Sequence, residues 1–231
     1  MHTKPSVLLV GSGRLAKHLK FWNSLGSQPL PLAEWNRTQS KEKFQSLAHE
    51  ATHIWLAVSD SAIASLCEVI PAGKTVVHFS GALTISGAAC AHPLMSFSGG
   101  LLDRSIYAKI HFVVNGAENL QILLPGFTNS FSVLSAEQKS HYHALCVIAG
   151  NFPQLLWSRT QRQLQELSIP TSATDLYLRQ ITENFIVQGE GSVTGPLVRK
   201  DAVTLQSNIN SLSSDPKLQN IYSAFVREFS I

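Results

Sequence analysis

A glycine-rich loop directly after a short apolar run is the feature that most constrains the fold of this chain. Residues 6–10 are mostly aliphatic and stop at a glycine, which indicates a buried parallel strand. The following residues, Gly-Ser-Gly-Arg-Leu-Ala at 11–16, fit the pattern GxGxxG/A and open a segment with helical apolar spacing. Strand, glycine turn and helix in this order predict a phosphate-binding turn at the start of a βαβ unit.

Each small residue of this loop has a separate task. Gly11 permits the tight turn, Gly13 lets the backbone approach a pyrophosphate, and Ala16 permits close packing of the helix on the strand. The helix N-terminus adds free N–H groups and a partial positive charge. A glycine turn without any ligand is the alternative interpretation. We predict cofactor contacts for five loop residues: Gly11, Ser12, Gly13, Arg14 and Leu15.

Apolar runs alternate with amphipathic segments through the first third of the chain. Strands are predicted over 6–10, 29–35, 53–58 and 75–78, and helices over 14–25, 41–49 and 60–70. This alternation is typical of the α/β class with a doubly wound, mostly parallel sheet, the Rossmann architecture.

The second half of the chain changes from strands to helices. Three further strands are predicted over 91–97, 110–114 and 130–134, with a Gly-rich loop over 98–107. From Ser135, which begins a capping pattern, the periodicity is mostly helical. We therefore predict a nucleotide-binding Rossmann domain over residues 1–134 and an all-α domain over residues 135–231.

The end of the second strand selects between two dinucleotide cofactors. An acid there binds the ribose 2′-OH of NAD, whereas an Arg accommodates the 2′-phosphate of NADP. Asn36, Arg37 and Thr38 follow this strand, and the first fifty residues carry seven Lys and Arg against three Glu. The guanidinium of Arg37 can donate two hydrogen bonds to a phosphate, and Thr38 adds a hydroxyl, so we predict cofactor contacts for Asn36, Arg37 and Thr38. We predict NADP, with Glu34 as a competing ligand that would favour NAD.

Composition narrows the class of protein. Hydrophobic residues make up 44% of the 231 residues and charged residues 14%, which suits a folded protein with a buried core and with additional surface buried in an oligomer. A net charge of +3 gives no indication of nucleic-acid binding, and no apolar stretch reaches the length of a membrane span. Three scattered cysteines indicate reduced thiols in a cytoplasmic protein, and no histidine spacing matches a known metal site.

Polar residues follow the third and fourth strands. In parallel sheets, ligands bind beyond the carboxyl ends of the strands at the point where the strand order reverses. We therefore predict that the nicotinamide half of the cofactor lies near the residues at these two ends: Val58, Ser59, Asp60, Ser80 and Gly81. The alternative is that Asp60 only caps a helix and that Ser80 and Gly81 only form a turn.

The loop and the Asn-Arg-Thr corner resemble the NADP-binding corner of 6-phosphogluconate dehydrogenase-type proteins. More of the chain resembles a bacterial group of Rossmann-like proteins of unassigned function, provisionally labelled NADP-dependent oxidoreductases. Its motifs here are Val-Ser-Asp-Ser-Ala-Ile (58–63), His-Phe-Ser-Gly-Ala-Leu (78–83), His-Pro-Leu-Met-Ser-Phe (92–97), His-Tyr-His-Ala (141–144) followed by Gly-Asn (150–151), and Thr-Gly-Pro-Leu-Val-Arg-Lys-Asp (194–201). The resemblance implies a helical domain of the dehydrogenase type and a dimer formed through the helices. Ser59 is a departure, since the group often has proline there.

Related dehydrogenases place a proton donor, usually Lys, and an Asn on the helix that faces the nicotinamide. His143 and Asn151 are eight residues apart on a predicted helix, a little over two turns, so both lie near one face. We predict His143 as the general acid/base and Asn151 as a hydrogen-bonding partner of the substrate. A partly buried His143 bonded to a carbonyl is the structural alternative.

Two functional hypotheses follow. The first is an NADP-dependent oxidoreductase that acts on a small polar metabolite in the cleft between the domains, as a homodimer through its C-terminal helices. The second is an NADP-binding sensor or partner-binding protein without turnover, which the missing lysine at the catalytic helix supports. A deazaflavin coenzyme in place of NADP is a further alternative, because it also carries phosphate.

Overall fold

The computed structural model describes residues 4–229, and a seven-stranded sheet organises the first part of the chain. The strands are β1 (Val7–Val10), β2 (Leu32–Trp35), β3 (His53–Leu56), β4 (Thr75–His78), β5 (Ala89–Pro93), β6 (Phe112–Asn115) and β7 (Phe131–Val133). Their order in the sheet is β2-β1-β3-β4-β5-β6-β7, and neighbours are parallel except β5 and β6. The sheet order reverses at β1, because the chain places β2 on one side of it and β3 on the other. The predicted doubly wound fold is confirmed.

Six helices belong to this sheet region. They are α1 (Arg14–Leu25), α2 (Lys41–Glu50), α3 (Asp60–Cys67), α4 (Arg104–Tyr107), α5 (Leu120–Leu123) and α6 (Ala136–Cys146). The helices cover both faces of the sheet, which explains why β1 is apolar at every position. Leu9 packs into one core with Trp22 of α1, and Val10 packs into the other with Phe44 and Ile63.

Several element ends differ from those predicted. The strand predicted over 91–97 is β5, which ends at Pro93, and Leu94 and Met95 leave the sheet with exposed side chains. Proline lacks a backbone N–H, which is consistent with a strand end at this position. The capping box that the sequence indicated at Ser135 is present, with Gln138 accepting from the Ser135 backbone N–H at 2.9 Å.

The helical region continues without a flexible linker. A π-helical segment, Val147–Asn151, follows α6 and leads into α7 (Phe152–Glu166). The remaining helices are α8 (Thr171–Gln188), a 3₁₀ turn (Gly189–Ser192), α9 (Ala202–Ser211) and α10 (Pro216–Phe229). No helix in residues 4–229 combines the length and apolarity that crossing a membrane requires.

The chain divides into two units between Leu155 and Leu156. The change from strands to helices lies near Leu134, where the sequence places its boundary, but α6 belongs to the first unit. The reason is that Lys139 and Tyr142 of α6 hydrogen-bond to residues at the ends of β4 and β5. In the second unit, Arg159 and Asp215 form a two-pronged ion pair with contacts of 2.5 and 3.0 Å.

Candidate functional site

A cleft of about 1260 Å³ opens at the carboxyl ends of β1, β2 and β3, and all of its lining residues belong to the first unit. This is the position that the reversal of strand order predicts for a ligand. Eleven of the predicted site residues line it: Gly11, Ser12, Gly13, Arg14, Leu15, Asn36, Arg37, Val58, Ser59, His143 and Asn151. Four others do not line it: Thr38, Asp60, Ser80 and Gly81.

Gly11 lies where β1 and β3 end side by side. Its φ is +124°, a conformation that L side chains rarely adopt. A Cβ at this position would lie 2.2 Å from the carbonyl oxygen of Ala57, much closer than van der Waals contact allows. Only glycine therefore satisfies both the backbone conformation and the space at this turn.

The N-terminus of α1 faces the cleft with its donors free. Gly13 is the N-cap and supplies no side chain to accept from the first N–H groups, and the first turn holds no acidic residue. A Cβ built on Gly13 would meet no atom within 4 Å, so the backbone there is open to a ligand. Uncapped donors and the helix dipole together form an anion-binding site.

Glu34 and Arg37, the two candidate cofactor ligands at the end of β2, have different surroundings. The carboxylate of Glu34 accepts from Lys20 Nζ at 2.5 Å and does not line the cleft. Arg37 lines the cleft, is exposed, and has no hydrogen bond or ion pair to other residues in the described range 4–229. Asn36 Oδ1 accepts from the backbone N–H of Thr38 at 3.0 Å and from its hydroxyl at 2.6 Å. Thr38 therefore shapes this corner.

Asp60 and Ser80 lie behind the cleft and hold the chain after β4. The hydroxyl of Ser80 donates to Asp60 Oδ2 at 2.8 Å and accepts from the backbone N–H of Leu83 at 3.1 Å. Asp60 is the first residue of α3 and follows the N-cap Ser59, which makes no capping hydrogen bond with its side chain. The carboxylate thus fixes the turn over residues 80–83 to α3.

Gly81, in this turn, lies against two imidazole rings. A Cβ on Gly81 would lie 2.7 Å from Cδ2 of His143 and 3.1 Å from Nε2 of His92. His143 comes from α6 and His92 from β5, and both rings line the cleft. The turn, the strand and the helix therefore bring two proton-handling groups to the same end of the cleft.

His92 is held by a second side chain of α6. Its Nδ1 lies 2.7 Å from the hydroxyl of Tyr142. Burial, followed by the neighbouring positive charges of His143 and Lys139, lowers the pKa of His92 to about 4. Burial raises the pKa of Tyr142 above its usual value, so the phenol keeps its proton at neutral pH. Neither His92 nor Tyr142 was predicted from the sequence as a site residue.

Lys139 is a fully buried cation one helical turn before His143. Its Nζ donates to the carbonyl oxygens of Ser80, at 3.1 Å, and Leu83. Burying an ammonium group is costly unless its donors are paired, and these two carbonyls supply the partners. Lys139 could have been identified from the sequence by its spacing of four residues from His143, because this spacing places both residues on one helix face.

His78 ends β4 within the same polar cluster. Its Nδ1 accepts from the backbone N–H of Ser80 at 3.3 Å, while its Nε2 is buried and has no hydrogen-bond partner in the described part of the chain. Burial, followed by the charge of Lys139, lowers the pKa of His78 to about 4. A neutral imidazole with Nδ1 as acceptor carries its proton on Nε2.

The π-helical segment alters the geometry expected for His143 and Asn151. Regular α-helical spacing was the basis for placing them on one face, but residues 147–151 form the wider π turn. Both residues still line the cleft, with Gly150 and Gln154 beside Asn151. Their roles in proton transfer and substrate binding remain predictions.

The loop after β5 supplies an apolar wall that the sequence assigned to a strand. Leu94, Met95 and Phe97 line the cleft. Phe97 packs on the ring of buried His18 with centroids 4.6 Å apart, and Nδ1 of His18 lies 2.6 Å from the Tyr107 hydroxyl. No group of three or more His, Cys, Asp or Glu side chains within residues 4–229 is arranged to hold a metal ion.

Solved structures with this fold include reductases. A provisionally assigned NADP oxidoreductase of Bacteroides fragilis matches with a TM-score of 0.76 at 20% identity, covering 98% of each chain. Pyrroline-5-carboxylate reductase of Streptococcus pyogenes matches with a TM-score of 0.61 at 11% identity, covering 97% of this chain and 98% of that chain. An imine reductase of Myxococcus stipitatus in complex with NADP+ matches with a TM-score of 0.61 at 12% identity, covering 97% and 93%. These likenesses establish the fold.

Comparison of sequences identifies the family of the chain. Curated protein sequences give no match. A family model described as a domain of unknown function, DUF2520, matches residues 113–229, about half of the chain. This region covers β6, β7 and all the helices from α5 onward, including the residues of α6 that line the cleft. The chain therefore belongs to the DUF2520 family, and strands β1 to β5 of its sheet precede the matched region.

Proposed function

We propose that this chain is an NADP-dependent oxidoreductase that acts on a small polar metabolite. The observation that carries the proposal is the cleft itself, which joins an anion-binding helix end, an unpaired Arg37 and two imidazoles. Gly11, Gly13 and the first turn of α1 would hold the pyrophosphate, and Arg37 the 2′-phosphate. When bound, NADPH would supply a hydride at the end of the cleft that holds His92 and His143.

The comparisons support the same class of reaction. The imine reductase is named as a complex with NADP+, and a pyrroline carboxylate reductase of Plasmodium falciparum is named with NADP bound. Each of these matches covers at least 97% of this chain. Identities of 12% do not transfer a substrate, so the polarity of the lining residues is the better guide to it.

The corner after β2 favours NADP over NAD. Glu34 is paired with Lys20, so its carboxylate is engaged away from a ribose. Arg37 is free to pair with a phosphate, and its planar guanidinium suits a phosphate monoester. A deazaflavin coenzyme also carries phosphate. A comparison of NADP with NAD is specific for the 2′-phosphate, because the two cofactors differ only in that group.

Replacing Arg37 with Ala should weaken NADP binding by about tenfold or more, because a charge-assisted hydrogen bond to phosphate is lost. NAD binding should be nearly unchanged, since NAD lacks the 2′-phosphate. The measurement is the rise in melting temperature at saturating cofactor. Cofactor at 100 times its dissociation constant raises the free energy of unfolding by about 2.7 kcal/mol.

Arg104→Ala is the matched control, because Arg104 is an exposed arginine of α4 that does not line the cleft. It should leave both thermal shifts unchanged. Equal stabilisation of the parent protein by NADP and NAD would contradict the assignment of the cofactor. An unchanged NADP shift in Arg37→Ala would show that the phosphate is bound elsewhere.

An NADP-binding protein without turnover is the second candidate. The position of Lys139 favours it, because the ammonium group donates to two backbone carbonyls and is fully buried rather than open to the cleft. Lysine therefore supplies no proton to a substrate here. Oxidation of NADPH by a carbonyl or imine compound in the presence of the protein separates the two candidates, since the non-catalytic protein gives none.

We also propose that the chain forms a homodimer through helices after Ser135. Leu145, Ile148, Phe152 and Leu155 are spaced three or four residues apart, and each is more than half exposed. In the second unit, α8 exposes a further set of large apolar side chains: Leu176, Tyr177, Phe185, Ile186 and Val187. Contiguous apolar surface of this kind marks protein interfaces.

Sedimentation velocity at micromolar concentration should therefore give the mass of a dimer for the parent protein. Leu155→Lys should shift the population towards monomer, because it places a charge in the apolar stripe. Val69→Lys is the control, since Val69 is a comparably exposed apolar residue after α3. A clean monomer for the parent would overturn the proposed assembly.

A further inference from the structure

Two imidazoles at one end of the cleft raise the question of what each does. His143 and His92 both lie against Gly81, and only one proton is needed by the product of a hydride transfer. The ring of His92 lines the cleft, and its Nδ1 lies 2.7 Å from the Tyr142 hydroxyl. The two rings therefore require different chemical roles.

We propose that His92 is a second catalytic group, a neutral imidazole whose Nε2–H donates a hydrogen bond to the oxygen of a carbonyl substrate while His143 delivers the proton. This inference rests on the proposed function. Nδ1 of His92 lies 2.7 Å from the Tyr142 hydroxyl. In this proposal the hydroxyl is the donor, and a neutral ring with Nδ1 as acceptor carries its proton on Nε2. Nε2 of His92 lies 3.1 Å from the position of a Cβ built on Gly81, and Cδ2 of His143 lies 2.7 Å from the same point.

The surroundings of His92 keep the ring neutral. His143 and Lys139 of α6 face His92, and both disfavour a positive charge on its ring. The carboxylate of Asp60, in α3, acts in the opposite direction. That carboxylate accepts from the Ser80 hydroxyl. Burial has the largest effect, and the pKa of His92 is lowered to about 4. A neutral imidazole can act as an electrophile by hydrogen bonding to developing negative charge, without giving up its proton.

The same surroundings indicate the class of substrate. In a carbonyl reduction the hydride that NADPH would supply forms the new C–H bond, which would leave NADP+. The π electron pair of C=O moves to oxygen, and that oxygen takes the proton of the His143 imidazolium. His143 ends neutral, His92 keeps its proton, and the product is an alcohol. Two N–H donors and the buried Lys139 stabilise an oxyanion, whereas they would repel the positive charge of an iminium ion. We therefore assign a ketone or aldehyde as the substrate.

The first test is the tautomer of His92, read by ¹⁵N NMR in histidine-labelled protein with NADP present. The His92 resonances are assigned by their loss in His92→Gln. We expect a neutral ring with the proton on Nε2 at neutral pH, and a mixture of tautomers in Tyr142→Phe. A proton on Nδ1, or an imidazolium at neutral pH, in the parent protein would overturn the proposal.

The second test measures whether the two rings share one site. His143→Gln should raise the pKa of His92, because it removes a neighbouring positive charge at the acid pH where His92 titrates. His141→Gln is the matched control: His141 is exposed and points about 200° away from His143 around the helix, so His92 should titrate as in the parent. An unchanged pKa of His92 in His143→Gln would contradict the paired site.

The third test uses NADPH oxidation with a panel of small aliphatic and aromatic ketones as probes. His92→Phe should lower turnover about 10²-fold or more, the usual loss for one donor to an oxyanion, and His92→Gln should retain part of it. Turnover of His92→Phe equal to that of the parent, or reduction of cyclic imines but of no ketone, would overturn the role assigned to His92. If NADP does not raise the melting temperature of the parent protein, the proposed function is overturned instead. The NMR results on the tautomer and the pKa of His92 would still stand.

Discussion

Gly11→Ala is expected to destabilise the protein severely, even without any ligand. The methyl group would lie 2.2 Å from the Ala57 carbonyl oxygen, and the residue would keep a φ of +124°. A strained backbone conformation costs about 1–3 kcal/mol. Overpacking costs about 1–3 kcal/mol more. Native proteins have only about 5–15 kcal/mol of stability, so a large fall in melting temperature of the purified variant should be measured.

Gly13→Ala is the matched control for this prediction and separates folding from binding. Gly13 has φ −74° and ψ −173°, which alanine adopts, and its Cβ would meet no protein atom within 4 Å. The ligand-free protein should therefore melt within a few degrees of the parent. NADP should no longer stabilise it, because the methyl group occupies the space that the pyrophosphate needs. Undiminished NADP binding by Gly13→Ala would show that the phosphates lie elsewhere.

His143→Ala is expected to lower turnover by about 10²–10⁴-fold, the usual contribution of a positioned proton donor. The affinity for NADP should stay intact, because His143 lies at the opposite end of the cleft from the glycine loop in the proposed arrangement. The measurement is the rate of NADPH oxidation with the ketone that the parent reduces fastest, together with the NADP thermal shift. A loss of turnover accompanied by an equal loss of NADP affinity would contradict the role of proton donor.

Two further variants provide a control for this prediction and a test of substrate positioning. His141→Ala removes an exposed imidazole two residues away and should retain the turnover of the parent. Asn151→Ala should raise KM as well as lower turnover, because a residue that positions the substrate acts on the ground state too. Full activity of His143→Ala in this series would favour the non-catalytic NADP-binding protein.

Local backbone requirements made the glycine loop after β1 predictable from the sequence. A buried parallel strand, a glycine with positive φ, a close backbone approach and a helix start each restrict residue type within a few positions of one another. Gly11, Gly13 and Arg37 were therefore identified without the structure, and all three line one cleft. The helix start at Ser135 was predictable for the same reason, since a capping box is contained within four residues.

The partners of individual side chains depended on tertiary packing. Lys20 pairs with Glu34 across 14 positions, and the sequence did not indicate this pairing. His92 and Tyr142 are 50 positions apart, and Lys139 and Ser80 are 59 apart. Periodicity in a sequence does not encode such contacts, because they depend on how α6 packs on the ends of β4 and β5.

The sequence by itself thus determined the doubly wound sheet and the glycine loop that lines the cleft, because both follow from short-range patterns of apolar residues and glycine. Only the tertiary structure decided which groups meet at the other end. It ended β5 at Pro93, gave residues 147–151 a π-helical turn, buried Lys139 against the carbonyls of Ser80 and Leu83, and brought His92 and His143 against Gly81. The physical reason is that burial and long-range hydrogen bonding, rather than local backbone preference, fix the positions of polar side chains in a protein interior.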